Sequence, residues 1–351
     1  MKKINLSELE TFCEKSLVAA GMSQSDAKIT AKVLVGTDAF GTHSHGTKNL
    51  FGYIKKAVAG GVSLTAQPEI VREGPAYALI DAHNCIGMVS SYKAMELAIE
   101  KARECGIALV TVKNGTHFGA AGFYSNMAAG KGMLGIAMSN VDPNMTIPGA
   151  RGMILGNNPL SYASPLESAP SCFLDIAMSN VASLKVVQAR KDGKSIPDTW
   201  IVDKNGLPTT DPSHYPEEGA MQPMAAHKGY GIAVLVELLT GVLSGGNISS
   251  LGEIPSWCFV PEKPNGVSNT FIAIDVDKFA GRDNYIARSE AFMGALHNTD
   301  KAQNAEHIFV PGEIEWEKYN KAKEALELPD AVADSLCELS TYNGISIPWI
   351  D

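Results

Sequence analysis

The stretch IALVTVKNGTHFGAAGFYS, residues 107–125, passes from a β-branched run through a glycine-rich segment into a helix-forming one. Comparable runs, namely YALIDAH, LGIAMSN, FLDIAM and TFIAIDV, alternate with helical segments from about residue 68 onward. This alternation predicts an α/β domain over residues 71–295, in which helices cover a central sheet. Helical periodicity marks both chain ends, so residues 1–70 and 296–351 are predicted to form one helical domain.

The composition excludes several classes of function. The net charge is −9 and the basic residues form no stripe, which argues against a nucleic-acid partner. The six cysteines contain no CxxC pair, so a disulfide framework or zinc ribbon has little support. The N-terminal segment lacks the apolar core of a signal peptide, and no apolar run reaches the ~18 residues of a membrane span. These features predict a cytoplasmic protein with no membrane partner.

The segment THSHG places His43, Ser44 and His45 in a turn that enters a helix. No third ligand follows the two histidines at a familiar spacing, so we predict no metal here. One interpretation is a polar turn whose serine caps the following helix. The other is that His45 is a general acid and base oriented by Ser44, because histidine exchanges protons near neutral pH.

Two further clusters could carry chemistry. His117 lies among Gly115, Gly119 and Gly122 directly after a predicted strand, an arrangement that can aim backbone N–H groups at an anion. A turn with a buried histidine would look the same, and the chain has no GxGxxG dinucleotide fingerprint. Asp175 lies within the apolar run FLDIAM, so it is either a buried carboxylate in need of a partner such as histidine or a strand-end acid facing solvent.

Six landmarks of the chain resemble, in order, those of the type-2 malate/L-lactate dehydrogenase family: HSHG, NGTHFGAAGFYS, GNNPLSYASP, FLDIAMSN, SIPDTWIVDKNGLPTTDP and AAHKGYGIAVLVELLTGVLSGG. That family includes ureidoglycolate dehydrogenase, sulfolactate dehydrogenase and 2,3-diketogulonate reductase. The resemblance implies a non-Rossmann, sulfolactate-dehydrogenase-like fold, usually in a homodimer, and an NAD(P)-dependent oxidoreductase. Its substrate would be a small 2-hydroxy acid and the matching 2-oxo acid. Malate is the leading expectation; ureidoglycolate, L-lactate and sulfolactate are the alternatives, and a non-catalytic dinucleotide-binding protein is the rival from another class.

The resemblance also implies roles for individual residues. His45 would be the proton donor and acceptor, Ser44 and Asp175 its relay and orienting partners, and His117 a second active-site histidine. The substrate-binding residues would be Asn49, Tyr53, Asp142, Pro148 and Gly149. The residues that bind NAD or NADP would be Leu174, Asp175, Ile176, Ala177, Met178, Ser179, His227, Lys228, Pro311, Gly312 and Glu313.

Two positions depart from the family pattern. Asn49 stands three residues after the HSHG glycine, where family members commonly have an arginine that can bind the substrate carboxylate, and Phe40 replaces an arginine in DAFG. Asn49 offers a neutral N–H where a guanidinium would offer a charged fork. We therefore predict intact acid–base residues and altered substrate recognition, with Lys48 or Lys56 as the candidates to supply the missing charge.

Overall fold

The secondary structure is taken from a computed structural model, which describes residues 1–350. In chain order the strands and α-helices are β1 (Lys2–Ile4), α1 (Leu6–Ala19), α2 (Gln24–Ala39), α3 (Leu50–Val58), β2 (Glu69–Gly74), β3 (Tyr77–Asp81), α4 (Gly87–Cys105), β4 (Ile107–Gly115), α5 (Ala121–Ala129), β5 (Met133–Ser139), β6 (Leu160–Pro165), β7 (Ser171–Ile176), α6 (Ser183–Lys191), β8 (Ile201–Val202), β9 (Pro208–Thr209), β10 (Ala220–Met221), α7 (His227–Glu237), β11 (Val267–Asp275), α8 (Arg282–His297), α9 (Glu313–Ala322), β12 (Leu326–Leu328) and α10 (Asp330–Asn343). A π-helical segment, Leu238–Val242, extends α7.

A seven-stranded sheet with the order β2-β3-β4-β11-β5-β6-β7 forms the centre of the molecule. Only β3 and β4 run parallel, joined by the crossover helix α4; the other neighbouring pairs are antiparallel. Helix α4 packs on β4 and β11, and α5 packs on β5 and β6. The predicted α/β class is therefore confirmed, and the mixed strand directions differ from the parallel sheet of a Rossmann domain.

The two ends of the chain meet beside this sheet. Strand β1 pairs with β12 in an antiparallel ladder that aligns Ile4 with Leu326. Leu9 and Phe12 of α1 belong to the same buried core as Leu336 of α10. Apolar side chains three to four residues apart on each helix supply this core. The division into residues 1–70 with 296–351 and residues 71–295 stays a prediction.

A smaller sheet, β10-β8-β9, lies under a second core that contains Met145, Met178, Ile201 and Met221. The sequence patterns did not reveal this sheet, because its strands are only two residues long. The sheet is linked to the segment between β5 and β6, because Met221 of β10 and Met145 of that segment form a β-bridge.

Helix α7 is largely apolar but ends in a buried acidic residue, Glu237. Glu237 accepts hydrogen bonds from the side-chain amides of Asn140 at 3.0 Å and Asn158 at 2.9 Å. It also accepts from the backbone N–H and the hydroxyl of Ser249, at 3.0 and 2.9 Å. Four donors satisfy the buried carboxyl group and tie the end of α7 to the residue after β5 and to the segment before β6. Within residues 1–350, no helix has the length and apolar character needed to cross a membrane.

Candidate active site

The loop between α2 and α3 carries the HSHG motif and is built around a buried aspartate. The carboxylate of Asp38 accepts hydrogen bonds from the backbone N–H and the hydroxyl of Thr47, at 2.8 and 2.5 Å. It also lies 2.9 Å from Nδ1 of His43, and so close to Gly46 that any side chain there would collide with it. Asp38 therefore fixes the path of the loop, and His43 is part of this anchor while His45 makes separate contacts.

His45 is held by its neighbours in the same loop. Its Nδ1 lies 2.7 Å from the hydroxyl oxygen of Ser44, and the side-chain amide of Asn49 donates to the backbone carbonyl of Ser44 at 2.8 Å. The backbone N–H of His45 donates to the carbonyl of Thr42 at 3.0 Å. These bonds leave Nε2 of His45 as the ring nitrogen available for proton exchange. Asn49 uses one of its two N–H groups on the loop itself.

His117 lies beside His45, in the loop between β4 and α5. The two rings stack with centroids 5.4 Å apart and an interplanar angle of 23°. Nδ1 of His117 lies 2.6 Å from the hydroxyl of Tyr53 and accepts the backbone N–H of Gly119 at 3.3 Å. A backbone N–H can only donate, so Nδ1 is the acceptor and the neutral ring carries its proton on Nε2. The structure thus makes His117 a hydrogen-bond donor at Nε2.

Burial keeps both rings neutral. It lowers the pKa of His45 below its usual value, and it lowers the pKa of His117 to about 3, with the nearby His45 as the second cause. Burial also raises the pKa of Tyr53, so its hydroxyl stays protonated and donates to His117. A neutral His45 can accept a proton, while a neutral His117 can only donate a hydrogen bond from Nε2. The two histidines are therefore suited to different tasks.

A tryptophan from a distant loop covers His117 and Tyr53. Trp257 stacks on His117 at 4.8 Å and on Tyr53 at 5.4 Å between ring centroids. Its loop, residues 252–266, is held by Lys56 of α3, a side chain only 2% exposed that donates to the backbone carbonyls of Lys263 at 2.7 Å and Val260 at 3.3 Å. Lys56 is thereby committed to the loop, which leaves the half-buried Lys48 as the candidate to supply charge to a substrate carboxylate.

Several predicted cofactor residues line one cavity of about 340 Å³. Leu174, Asp175, Pro311 and Gly312 form its walls together with Glu315, and no lysine or arginine is among the lining residues. A side chain at position 312 would collide with the β7 backbone. The cavity is thus small and lined mostly by apolar side chains, with the carboxylates of Asp175 and Glu315 among its walls. Such a cavity suits a flat, uncharged part of a ligand.

Asp175 lies at this cavity but is not bonded to the catalytic loop. Its carboxylate accepts the backbone N–H of Gly122 at 2.7 Å, at the start of α5. Among residues 1–350, no hydrogen bond joins it to Ser44 or His45. Burial raises the pKa of Asp175 to about 6; the Gly122 N–H opposes this and Glu315 adds to it. The predicted orienting role of Asp175 stays a prediction.

Asp175→Asn is expected to stabilise the fold at pH 8 and leave it unchanged at pH 4. A pKa raised from 3.8 to about 6 means that the ionised carboxylate costs the fold up to about 3 kcal/mol above pH 6 and nothing below pH 4. Asparagine removes that cost and can still accept the Gly122 N–H. Urea unfolding at both pH values measures the difference. Equal unfolding free energies of the variant and the wild type at pH 8 would show that the ionised carboxylate of Asp175 does not destabilise the fold. An unchanged pH–rate profile in the variant would mean that Asp175 takes no part in acid–base catalysis.

The remaining predicted residues lie outside the cavity at Asp175. Asp142 lies beside Ser256 in the Trp257 loop, and burial raises its pKa. Pro148 and Gly149 line a separate cavity of about 500 Å³ with Ala225 and Ala226, just before the exposed His227 and Lys228 at the start of α7.

Met178 is fully buried in the second core, and the hydroxyl of Ser179 donates to the carbonyl of Val181. Ile176 ends β7 and Ala177 follows it, both half-buried. Glu313 directs its carboxylate toward two histidines, His297 and His307.

Sequence reasoning missed Asp38, Trp257 and the two histidines near Glu313. Trp257 lies 140 positions from His117 in an irregular loop, where no periodicity marks it. Asp38 could have been found, because an aspartate five residues before His43 at a helix end is a natural anchor for a turn.

Comparisons of the sequence and of the structure with known proteins give consistent results. The model of the family described as malate/L-lactate dehydrogenase matches residues 4–337. Malate dehydrogenase of Pyrococcus abyssi is 34% identical, with 98% of this chain and 95% of that protein covered. Ureidoglycolate dehydrogenase (NAD(+)) of Escherichia coli is 32% identical, with 97% of each covered. The solved structure of sulfolactate dehydrogenase from Methanocaldococcus jannaschii superposes with a TM-score of 0.90 at 32% identity and covers 98% of both chains.

Proposed function

This chain belongs to the malate/L-lactate dehydrogenase family, and we propose that it interconverts malate and oxaloacetate with a nicotinamide cofactor. Its relatives are dehydrogenases of malate, sulfolactate and ureidoglycolate, so the chain is an oxidoreductase of 2-hydroxy acids. The observation that carries the proposal is the pair of stacked, neutral histidines: His45 with a free Nε2 and His117 with a proton on Nε2. This pair supplies one proton acceptor and one hydrogen-bond donor.

The acceptor is His45. In alcohol oxidation its Nε2 takes the hydroxyl proton while Nδ1–H donates to Ser44, and in the reverse direction the protonated ring returns that proton. Ser44 can donate or accept, so it matches either state of Nδ1. The lowered pKa of His45 favours the neutral base in the free enzyme.

The donor is His117. Its Nε2–H is directed to the substrate oxygen, where negative charge grows as the alcohol loses its proton, and it stabilises that charge without giving up the proton. Tyr53 and Gly119 hold the ring in the donating tautomer. Trp257 covers the ring and excludes water from this bond.

When bound, the nicotinamide supplies hydride transfer, and the residues present fit such a cofactor. The cavity at Asp175 and Gly312 suits a planar, neutral portion, and the exposed N-terminus of α7 with Lys228 suits a phosphate. We propose NAD over NADP, because Asp175 and Glu315 at the cavity would repel a further phosphate and no cation among the lining residues would attract it. Comparing kcat/KM for NADH and NADPH tests this preference; equal values would reject it.

A spectrophotometric screen of reduced cofactor with 2-oxo acids tests the substrate. Turnover should be highest with oxaloacetate, as the leading proposal requires. Oxalurate as the better substrate would support ureidoglycolate dehydrogenase, which remains the second candidate because a relative with that name matches 97% of the chain. Cofactor binding without turnover of any oxo acid would support the non-catalytic alternative.

Asn49→Arg is expected to tighten binding of pyruvate and oxaloacetate by ~10- to 100-fold. One guanidinium N–H can keep the bond to Ser44, and the others can offer a charge-assisted bond of about 1.5–3 kcal/mol to the carboxylate. Steady-state kinetics on both acids provides the measurement, with Asn49→Lys as the variant that adds charge but no fork. Unchanged KM values in a folded Arg variant would place Asn49 outside the substrate site.

We also propose a homodimer that buries one face of α7. Ile232, Leu235, Leu238 and Val242 recur every three to four residues on this helix and its π segment, Leu243 follows directly, and each is 38–54% exposed. Such an apolar stripe marks an interaction surface. Leu238→Glu should convert the dimer to a monomer in light scattering, whereas Leu207→Glu on another surface should not. A monomeric wild-type protein would reject the proposal. The cytoplasmic location remains a proposal from the cysteine pattern.

A further inference from the structure

A group of three potential metal ligands lies outside the active site. His297 ends α8, His307 lies in the irregular segment 298–312, and Glu313 begins α9. One ligand atom from each residue lies within 4.8 Å of the others, and Nε2 is the nitrogen of each histidine that approaches the Glu313 carboxylate. We propose that these residues form a site for a divalent transition-metal ion such as Zn²⁺.

The spacing of the ligand atoms fits one ion. Nε2 of His297 lies 2.8 Å from Oε1 of Glu313, and Nε2 of His307 lies 3.7 Å from Oε2. Ligand atoms around a four-coordinate zinc at ~2.0–2.2 Å stand about 3.3 Å apart, between these two values. Small side-chain adjustments would therefore complete the site. Two imidazoles and one carboxylate also match the donor preference of Zn²⁺ over Mg²⁺ or Ca²⁺.

A buried nitrogen in the group is an independent observation. Nε2 of His297 is shielded from solvent and makes no properly directed hydrogen bond, although Oε1 of Glu313 is only 2.8 Å away. Buried polar atoms are normally satisfied. A metal ion on the lone pair of Nε2 would satisfy this nitrogen and give the short approach of the carboxylate a reason. Oε2 of Glu313, the oxygen nearer His307, also accepts the backbone N–H of Val310 at 2.8 Å, which orients the carboxylate.

The site would join three segments that are otherwise weakly connected. Residues 301–307 of the irregular segment are exposed, and Lys301 makes one contact, to the carbonyl of Glu306. An ion bound to His297, His307 and Glu313 would clamp this segment between α8 and α9. Pro311 and Gly312, at its end, line the cofactor cavity, so the clamp would also fix that wall. Its role is structural, because none of its three ligands is among the hydrogen-bond or stacking partners of His45 and His117.

Isothermal titration of the metal-stripped protein with ZnCl₂ tests the site. We expect one ion per chain, and at least ~10-fold weaker binding in His297→Gln and in His307→Gln. His83→Gln is the matched control, because His83 also contacts two carboxylates, Glu69 and Asp81, but through opposite ring nitrogens that cannot share an ion. His45→Ala controls for zinc held by the catalytic pair. The control variants should bind like the wild type.

Trypsin digestion provides a second readout that does not depend on catalysis. Zinc should slow cleavage after Lys301 in the wild type and in His83→Gln, but not in His307→Gln. The proposal is overturned if the wild type binds no zinc, if binding survives undiminished in both cluster variants, or if only His45→Ala abolishes it. None of these outcomes bears on whether the protein reduces oxaloacetate, which the substrate screen decides separately.

Discussion

Replacing His45 with alanine should lower kcat by ~100- to 10,000-fold, the usual contribution of general acid–base catalysis. The reason is that Nε2 of His45 is the ring nitrogen left free for proton exchange, since Nδ1 is engaged with Ser44 and His117 donates instead of accepting. Cofactor affinity should stay within about twofold, because none of the cofactor-cavity walls involves His45. Stopped-flow or steady-state rates together with fluorescence titration of NADH measure both quantities.

The matched control for this variant is His83→Ala, which replaces an exposed histidine two residues after the end of β3 and should leave kcat unchanged. The pH dependence adds a second check. The pKa of His45 is lowered by burial, so malate oxidation should lose its base below an apparent pKa that is less than 6.5. A His45→Ala enzyme that keeps more than about a tenth of wild-type turnover would exclude this residue as the base.

Replacing His117 with alanine should lower kcat by ~100- to 1,000-fold while KM changes little. Removing a single donor to a developing oxyanion costs that much, because the bond strengthens as charge builds in the transition state. His117→Asn should restore part of the rate by returning an N–H. Tyr53→Phe should give a smaller loss, since Gly119 still donates to Nδ1 and partly preserves the tautomer.

The pH profile distinguishes this role from a second acid–base role. Burial lowers the pKa of His117 to about 3, so its ring does not titrate in the working range, and the His117→Ala profile should keep the wild-type shape at a lower level. A profile that loses one limb in the variant would mean that His117 exchanges a proton, and the assignment of donor and base would have to be reversed.

The sequence predicted where in the secondary structure the site residues lie better than it predicted which groups they contact. The spacing of His45 after a helix end and of His117 after a β-branched run placed both in loops, which is where they lie. For Asp175 the apolar neighbours left two interpretations, a buried carboxylate or a strand-end acid facing solvent, and the structure places it half-buried at the wall of a cavity. Its bond to the Gly122 N–H could not be read, because local hydrophobicity reports burial but not the direction of a side chain.

Pairings between segments far apart in the chain are the second feature that the sequence could not predict. The runs IALVTV and LGIAMSN are predicted strands, yet β11 (Val267–Asp275), from a much later part of the chain, inserts between them. Alternation of residue types indicates a strand without naming its neighbour. The same holds for Glu237, visible as a charge in an apolar helix, whose donors Asn140 and Asn158 come from distant segments. Contacts of this kind require the folded chain.

The way Lys56 holds the Trp257 loop has a consequence for how this protein tolerates changes of sequence. The lysine grips backbone carbonyls, of Val260 and Lys263, and those carbonyls are the same whatever side chains the loop carries. Substitution of the side chains of Val260 and Lys263 should therefore leave these two hydrogen bonds in place, while Tyr53, three residues before Lys56 on the same helix, keeps its contact with His117. The segment can thus vary in sequence at these positions while Trp257 stays stacked on His117.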